Sequence, residues 1–236
     1  MKPTKIEHQN VKMIAHRGAG KVWVENSLPA FQNAAKCSYW GIETDIHCTK
    51  DGKFILIHDD TTDRVTAKQC IVEETDFETL RNTHLSGLEG DEARLPTLEE
   101  YVAACKGGNK YAVLELKNRM PAEEIEKIIL ELEALDYLQK TVFISFSFSN
   151  MEAVRALRPD QPAQFLINRD DIAKKVQQAI ALKVDIDIRY TQLDQSIVDA
   201  MHQAGLKVNV WTVNDPDAVK ELAAMGVDYI TTDIFE

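Results

Sequence analysis

The sequence predicts an α/β fold, a TIM-type (β/α)8 barrel with a small insertion after the strand that ends at His58. Three observations carry this prediction. Short apolar runs alternate with stretches of helical spacing, the pattern of β/α units wound around a parallel sheet. The alternation spans the chain without a linker, low-complexity tract or repeat, so residues 1–236 read as a single domain. Polar side chains of catalytic type cluster where the apolar runs end, which is where barrel enzymes keep their chemistry.

Strand-like runs occur at Val11 to His16, Gly41 to Cys48, Phe54 to His58, Tyr111 to Lys117, Val142 to Phe148, Ala163 to Ile167, Val184 to Ile188, Lys207 to Val213 and Asp228 to Thr232. That is one more than eight barrel places, and the run before His58 is the expected accessory. Asp51-Gly52 signals a two-residue type I′ turn between the second and third runs. Closed there, the hairpin pairs Lys50 with Lys53 and Asp45 with His58, at about 4.5–5.5 Å between Cβ atoms.

The helices carry their own punctuation. Ser27 is a candidate N-cap before Leu28-Pro29. Ala122 to Gln139 places Ile125, Ile128, Ile129, Leu132 and Leu135 on one face, behind Pro121 and with Glu123 and Glu124 in the first turn. Ser149 and Glu152 form a capping-box pattern for a helix through Leu157, and Asp215-Pro216 opens a helix that Gly226 ends. Phe146 and Phe148 are expected to line the barrel. Asp60 to Gly108 breaks the alternation until the helix-like PTLEEYVAAC, so residues 60–108 read as an inserted subdomain on the catalytic rim.

Composition narrows the function classes. With 44% hydrophobic and 28% charged residues the chain reads as a soluble globular protein. A net charge of -11 argues against nucleic acid and against stable association with anionic membranes. An anionic substrate therefore needs a local positive site. No apolar run approaches the roughly 20 residues of a membrane span, and MKPTKIEHQN lacks a signal-peptide core, so a cytoplasmic location is expected. Cys37, Cys48, Cys70 and Cys105 lack C-x-x-C spacing and read as free thiols. His8 and His202 receive no role, and His47 is expected near the hairpin tip.

Glu43 and Asp45 share a strand face because side chains alternate. At an effective dielectric of about 20, two carboxylates about 4 Å apart repel by roughly 4 kcal/mol. An inward pair therefore calls for a cation or a proton, whereas an outward pair is a solvated edge. Other strand-associated motifs stand beside it in order: His16-Arg17-Gly18, His58-Asp59 and Glu115-x-Lys117.

Together with VENSLPAF and VNVWTVND, these motifs resemble the glycerophosphodiester phosphodiesterase family from IAHRG to DYITTD. The resemblance implies that Glu43, Asp45 and Glu115 bind one divalent cation, that His16 and His58 are the acid-base pair, and that Arg17 and Lys117 contact the phosphate. Hard oxygen ligands suit Mg²⁺ or Ca²⁺, with Mn²⁺ also accommodated, rather than zinc. The implied substrate is a small-molecule phosphodiester such as glycerophosphocholine or glycerophosphoethanolamine, cleaved to glycerol 3-phosphate and an alcohol. The attacking group is water or the glycerol's own 2-hydroxyl, and which histidine is acid and which base stays open.

Several positions carry two readings. Asn26 orients a substrate hydroxyl or a catalytic side chain, Trp211 is an apolar wall for the substrate or barrel core, and Arg17 binds phosphate or bridges Glu43 or Glu25. The sequence departs from the family at Val24, usually proline, and at Ser27, usually threonine. Two competing functions are a lipid-cleaving relative of phospholipase D or sphingomyelinase D type on the same barrel, and a non-catalytic phosphate- or metal-binding module.

Overall fold

In the computed structural model, which describes residues 2–236, eight parallel strands close into a ring. In chain order the strands are β1 (Lys12–Ala15), β2 (Gly41–Cys48), β3 (Phe54–Leu56), β4 (Tyr111–Leu116), β5 (Thr141–Ser145), β6 (Ala163–Ile167), β7 (Asp185–Arg189), β8 (Val208–Trp211) and β9 (Tyr229–Thr232). The ring closes because β1 pairs with β2 at Ile14↔Gly41 and with β9 at Lys12↔Tyr229. β3 stands outside it, antiparallel on β2, as expected for the run before His58. The architecture is a TIM barrel.

Alternation along each strand separates two apolar populations. Ile14, Val113, Val142, Ile144, Leu166 and Tyr229 meet inside the barrel. Their neighbours Ala15, Leu114, Phe143 and Phe165 point outward under the helices. The interior is partly polar: Asn209 donates to Gln164 at 3.0 Å and accepts from Thr231 at 3.3 Å, all three buried.

The crossovers are α1 (Leu28–Ala35), α3 (Leu98–Gly107), α4 (Ala122–Ala134), α5 (Phe148–Leu157), α6 (Ile172–Leu182), α7 (Gln195–Gln203) and α8 (Pro216–Met225), while a short α2 (Phe77–Arg81) lies in the segment after β3. Ser27 caps α1 by accepting from Ala30 N–H, and α8 runs from the Asp215 cap to a left-handed Gly226, both as the sequence indicates. Two helix readings need correction. α4 stops at Ala134 because Asp136 takes φ +50°, and a separate 3-10 turn covers Leu138–Lys140. α5 begins at Phe148, so Ser149 lies within the helix and bonds Ser147 instead of forming a capping box. β5 consequently ends at Ser145, and Phe148 packs edge-on against Phe165 in the outer layer rather than inside the barrel.

The hairpin register also differs from the expected one. Cys48 pairs with Phe54 and Ile46 with Leu56, so the turn holds three residues, Lys50-Asp51-Gly52, with Gly52 at φ +73°. Three-residue turns of this kind need a left-handed third position, which glycine supplies. Thr49 fastens the closure: its hydroxyl reaches Lys53 O at 3.1 Å and Asp51 Oδ1 at 2.7 Å. Asp45 therefore lies opposite Ile57, whose N–H it accepts, and His58 reaches the site from beyond the end of β3.

α3 belongs to the barrel wall. Thr97 and Glu100 form its capping box, and the buried Tyr101 hydroxyl donates to Ile42 O at 2.6 Å while accepting from Val113 N–H at 3.0 Å. Between β3 and α3 the chain builds a second small core from Ile55, Ile57, Cys70, Val72, Leu80, Leu85 and Leu95. Among the described residues no helix is long and apolar enough to cross a membrane.

Candidate active site

The site occupies the mouth of the barrel at the carboxyl ends of the strands. β1 leads directly into a 3-10 turn, His16–Gly18, in which Arg17 and Gly18 both adopt positive φ, +49° and +75°. Glycine is required at position 18, since a Cβ there would lie 3.0 Å from the Ala30 Cβ in addition to the left-handed strain. The turn aims the Arg17 N–H at Glu43 Oε2, 2.7 Å away. Strained backbone of this kind persists where surrounding contacts over-determine it, commonly at functional sites.

Each histidine is oriented by a carboxylate. His16 Nδ1 lies 2.7 Å from Asp233 Oδ1, and His58 Nδ1 lies 2.6 Å from Asp59 Oδ1. Burial alone would raise the Asp233 carboxyl, but its bonds to His16 and Asn214 hold it below its ordinary value; Asp59 is likewise held down, by Arg64 and His58. An ionised carboxylate only accepts, so the proton sits on each Nδ1 and leaves each Nε2 free to exchange one. Burial lowers the His58 pKa from its ordinary 6.5, against the opposing pull of Asp45.

Glu43 and Asp45 both point inward from β2, and Glu115 joins them from the facing register position on β4. One oxygen from each of the three buried carboxylates lies within 4.8 Å of the other two. Burial and Asp45 push Glu43 well above the ordinary range and Glu115 up to about 7. Asp45 escapes the effect of burial because Lys117 and Arg17 hold it well below its ordinary value. Lys117 Nζ bonds Glu115 Oε1 at 2.9 Å and stands 3.5 Å from Asp45 Oδ1, an oxygen with no hydrogen bond among the described residues. The arrangement fits a hard divalent cation: three convergent oxygens, one unsatisfied, and more carboxylates than fixed positive charges.

His16, Arg17, Glu43, His58, Glu115 and Trp211 line one cavity with Ile144, Phe146, Leu166, Asp187 and Thr231. Phe146 is 46% exposed at its rim and meets Trp211 edge-on at 5.6 Å between ring centres. Trp211 thus stands in the cavity wall, its indole N–H donated to Asp187 O at 3.2 Å. Arg17 bridges Glu25 at 2.9 Å, as one of its two readings has it, and still borders the cavity. Asn26 is placed differently from a substrate contact. It is 2% exposed, donates to Asp45 Oδ2 at 2.7 Å and accepts from Thr44 Oγ1 at 2.8 Å, so its amide orients a carboxylate.

His47 is a further correction. It is fully buried, with Nδ1 3.0 Å from Glu73 Oε1 and Nε2 3.4 Å from His58 O, because the shorter hairpin arm places it beneath the segment after β3. His8 and His202 lie away from this cavity, bonded to Val11 O and Asp228. Sequence reasoning missed the orienting role of Asp233, the bridge formed by Arg64 and the buried Asp187. Asp233 and Asp187 share strand parity with inward residues, a signal that was present; Arg64 gave none.

Arg64 connects the site to the inserted segment. Its guanidinium donates to Asp59 and, through both Nη atoms, to Glu25 at 2.7 and 2.8 Å, and Glu25 in turn accepts from Arg17. Asn118 adds a second tie, to Asp60 at 3.0 Å and Glu73 at 2.9 Å.

Known proteins share this framework. The Bacillus subtilis protein YhdW is 30% identical over 94% of this chain and 93% of its own, and a glycerophosphodiester phosphodiesterase of Bacillus altitudinis is 28% identical over 94% of each. The structure of an Oleispira antarctica phosphodiesterase in complex with the product sn-glycerol-3-phosphate superposes with a TM-score of 0.84 at 24% identity, covering 94% of this chain and 93% of that one. The model of the glycerophosphoryl diester phosphodiesterase family matches residues 16–236, which takes in both histidines, the three converging carboxylates and Asp233. On that match the chain belongs to the glycerophosphoryl diester phosphodiesterase family.

Proposed function

We propose that the protein hydrolyses glycerophosphodiesters, such as glycerophosphocholine or glycerophosphoethanolamine, to glycerol 3-phosphate and an alcohol in a reaction that depends on a divalent cation. The observation that carries this reading is the meeting of two carboxylate-oriented histidines, an arginine and two of three convergent carboxylates in one cavity. Membership of the family and the product named for the Oleispira antarctica phosphodiesterase support the same substrate class.

Glu43, Asp45 and Glu115 would hold Mg²⁺, Ca²⁺ or Mn²⁺, which supplies charge neutralisation and polarises a phosphoryl oxygen. Arg17 and Lys117 offset the remaining charge of the phosphodiester, and Asn26 fixes the Asp45 carboxylate between them. His16 takes a proton at Nε2 from the attacking water as the new P–O bond forms. His58, protonated on both ring nitrogens before the step, gives its Nε2 proton to the alcohol oxygen as the bond from that oxygen to phosphorus breaks. Solvent then returns the proton from His16 to His58. Asp233 and Asp59 keep a proton on each Nδ1 throughout, so that the exchange takes place at Nε2. Trp211 and Phe146 form an apolar flank at the rim beside the reacting group.

Glycerol 3-phosphate release from glycerophosphocholine, followed enzymatically with and without added cation, tests the reading. Release that needs the cation supports it. Turnover of micellar lysophospholipid well above that of glycerophosphocholine would transfer the assignment to lipid cleavage. Binding of glycerol 3-phosphate without turnover of any diester would make the protein a binding module.

A further inference from the structure

Asp187 stands apart from every other ionisable group in the cavity. It sits in the middle of β7, four strands round the ring from β2 and therefore across the barrel from Glu43 and Asp45. It is 1% exposed, its Oδ1 is buried and its side chain makes no hydrogen bond among the described residues, whereas the side chains of the histidines, Arg17, Glu43 and Glu115 each make at least one, although Arg17 Nε itself makes none. Its neighbours in register do not serve it: Leu166 is apolar, and Asn209 donates to Gln164 and accepts from Thr231 without bonding Asp187. Trp211 N–H is taken by the Asp187 carbonyl.

An unpartnered buried carboxyl is costly, and such groups are kept where function supplies the partner. The cavity has about 50 Å³ of room, space for only a few water-sized groups. That suits a hydroxyl on a small carbon chain better than a quaternary ammonium head, which is left to the open rim near Phe146. A carboxyl accepts a hydrogen bond in either protonation state. Building on the reaction assigned above, we propose that Asp187 is a specificity-determining residue, its free oxygen accepting a hydrogen bond from a hydroxyl of the substrate's glycerol unit. The cavity thereby selects diesters of free glycerol over analogues that lack the hydroxyls. Sites built to bond a substrate hydroxyl reject the analogue without it strongly, because the protein group is then left unpaired.

The test compares glycerophosphocholine with propyl phosphocholine, which lacks both hydroxyls, in the full-length protein with saturating cation. The wild type is expected to prefer glycerophosphocholine in kcat/KM by about 100-fold or more. Asp187→Leu, of the same heavy-atom branching but without an acceptor, should reduce that preference to about 10-fold or less, while Asp187→Asn, which keeps an acceptor oxygen, should retain most of it. Both variants should melt no lower than the wild type, since an unpartnered buried carboxyl has been removed or neutralised. An unchanged preference in Asp187→Leu overturns the inference, as does a raised half-saturating cation concentration in Asp187→Asn, which would make Asp187 a cation ligand. These outcomes leave the reaction assignment intact. Wild-type turnover of propyl phosphocholine with none of glycerophosphocholine would instead remove that assignment and the inference with it.

Discussion

In the proposed reaction His16 and His58 work as a pair because of what lies behind each ring. Asp233 is 217 positions from His16 in sequence and 2.7 Å from it in space, so nothing local to His16-Arg17-Gly18 announces it. The catalytic candidates themselves were legible, because strand parity puts Glu43 with Asp45 and the ordered motifs that resemble the family supply His16, His58 and Glu115. Asn26 was half legible: its residue type fits either role, and only its burial against Asp45 and Thr44 decides. Burial depresses the His58 pKa and its Asp59 bond raises it, so the imidazole is neutral above a value that lies under 6.5. Asp59→Asn removes the raising contribution; the limb of the pH–kcat/KM profile belonging to His58 should move further to acid, and a shift toward alkaline pH would contradict the assignment. Asp233→Asn should lower kcat by about 10-fold or more with KM little changed, since it disturbs the tautomer of His16 rather than binding.

The elements were read well where their period and caps were strong and poorly where one residue decides. The hairpin signal at Asp51-Gly52 singles out β3 as the strand beyond the eight, and the strands and crossovers themselves follow from the alternation. The hairpin register does not, because Asp-Gly serves two-residue and three-residue turns alike, and the Thr49 and Asp51 contacts select the longer one. Asp51 is also drawn to Phe77 N–H at 2.8 Å in the segment after β3, an interaction that no local pattern encodes. That segment reaches the chemistry through Arg64. Arg64→Ala should cut kcat by about 10-fold through loss of order in Asp59 and Glu25, with a change in unfolding midpoint too small to explain it, since the pair contacts are partly exposed. Kinetics and chemical denaturation on the same preparation check this. At the α1–α3 contact a Cβ on Gly108 would sit 2.3 Å from the Ala35 carbonyl oxygen, so Gly108→Ala should cost about 1–3 kcal/mol of stability, measured as a lower melting temperature.

For the molecule as a whole, the question is how an acidic protein of net charge -11 takes an anionic substrate. Arg17 and Lys117 are outnumbered by Glu43, Asp45 and Glu115 at the site, and burial already pushes two of those carboxyls toward the protonated form. A divalent cation bound there would reverse the local balance and make room for a phosphodiester. Because such a cation binds the folded chain, at about 100-fold above its Kd it should add roughly 2.7 kcal/mol, or about 5–10 °C in melting temperature. Glu43→Gln should abolish most of that cation-induced shift. The most direct test of the account strips the protein of metal and measures glycerol 3-phosphate release from glycerophosphocholine on adding back Mg²⁺, Ca²⁺ or Mn²⁺ separately, with His16→Ala alongside. The account predicts release that requires one of these cations and falls by about 10²–10⁴ in His16→Ala. Release of equal rate without any cation, or undiminished in His16→Ala, would contradict it.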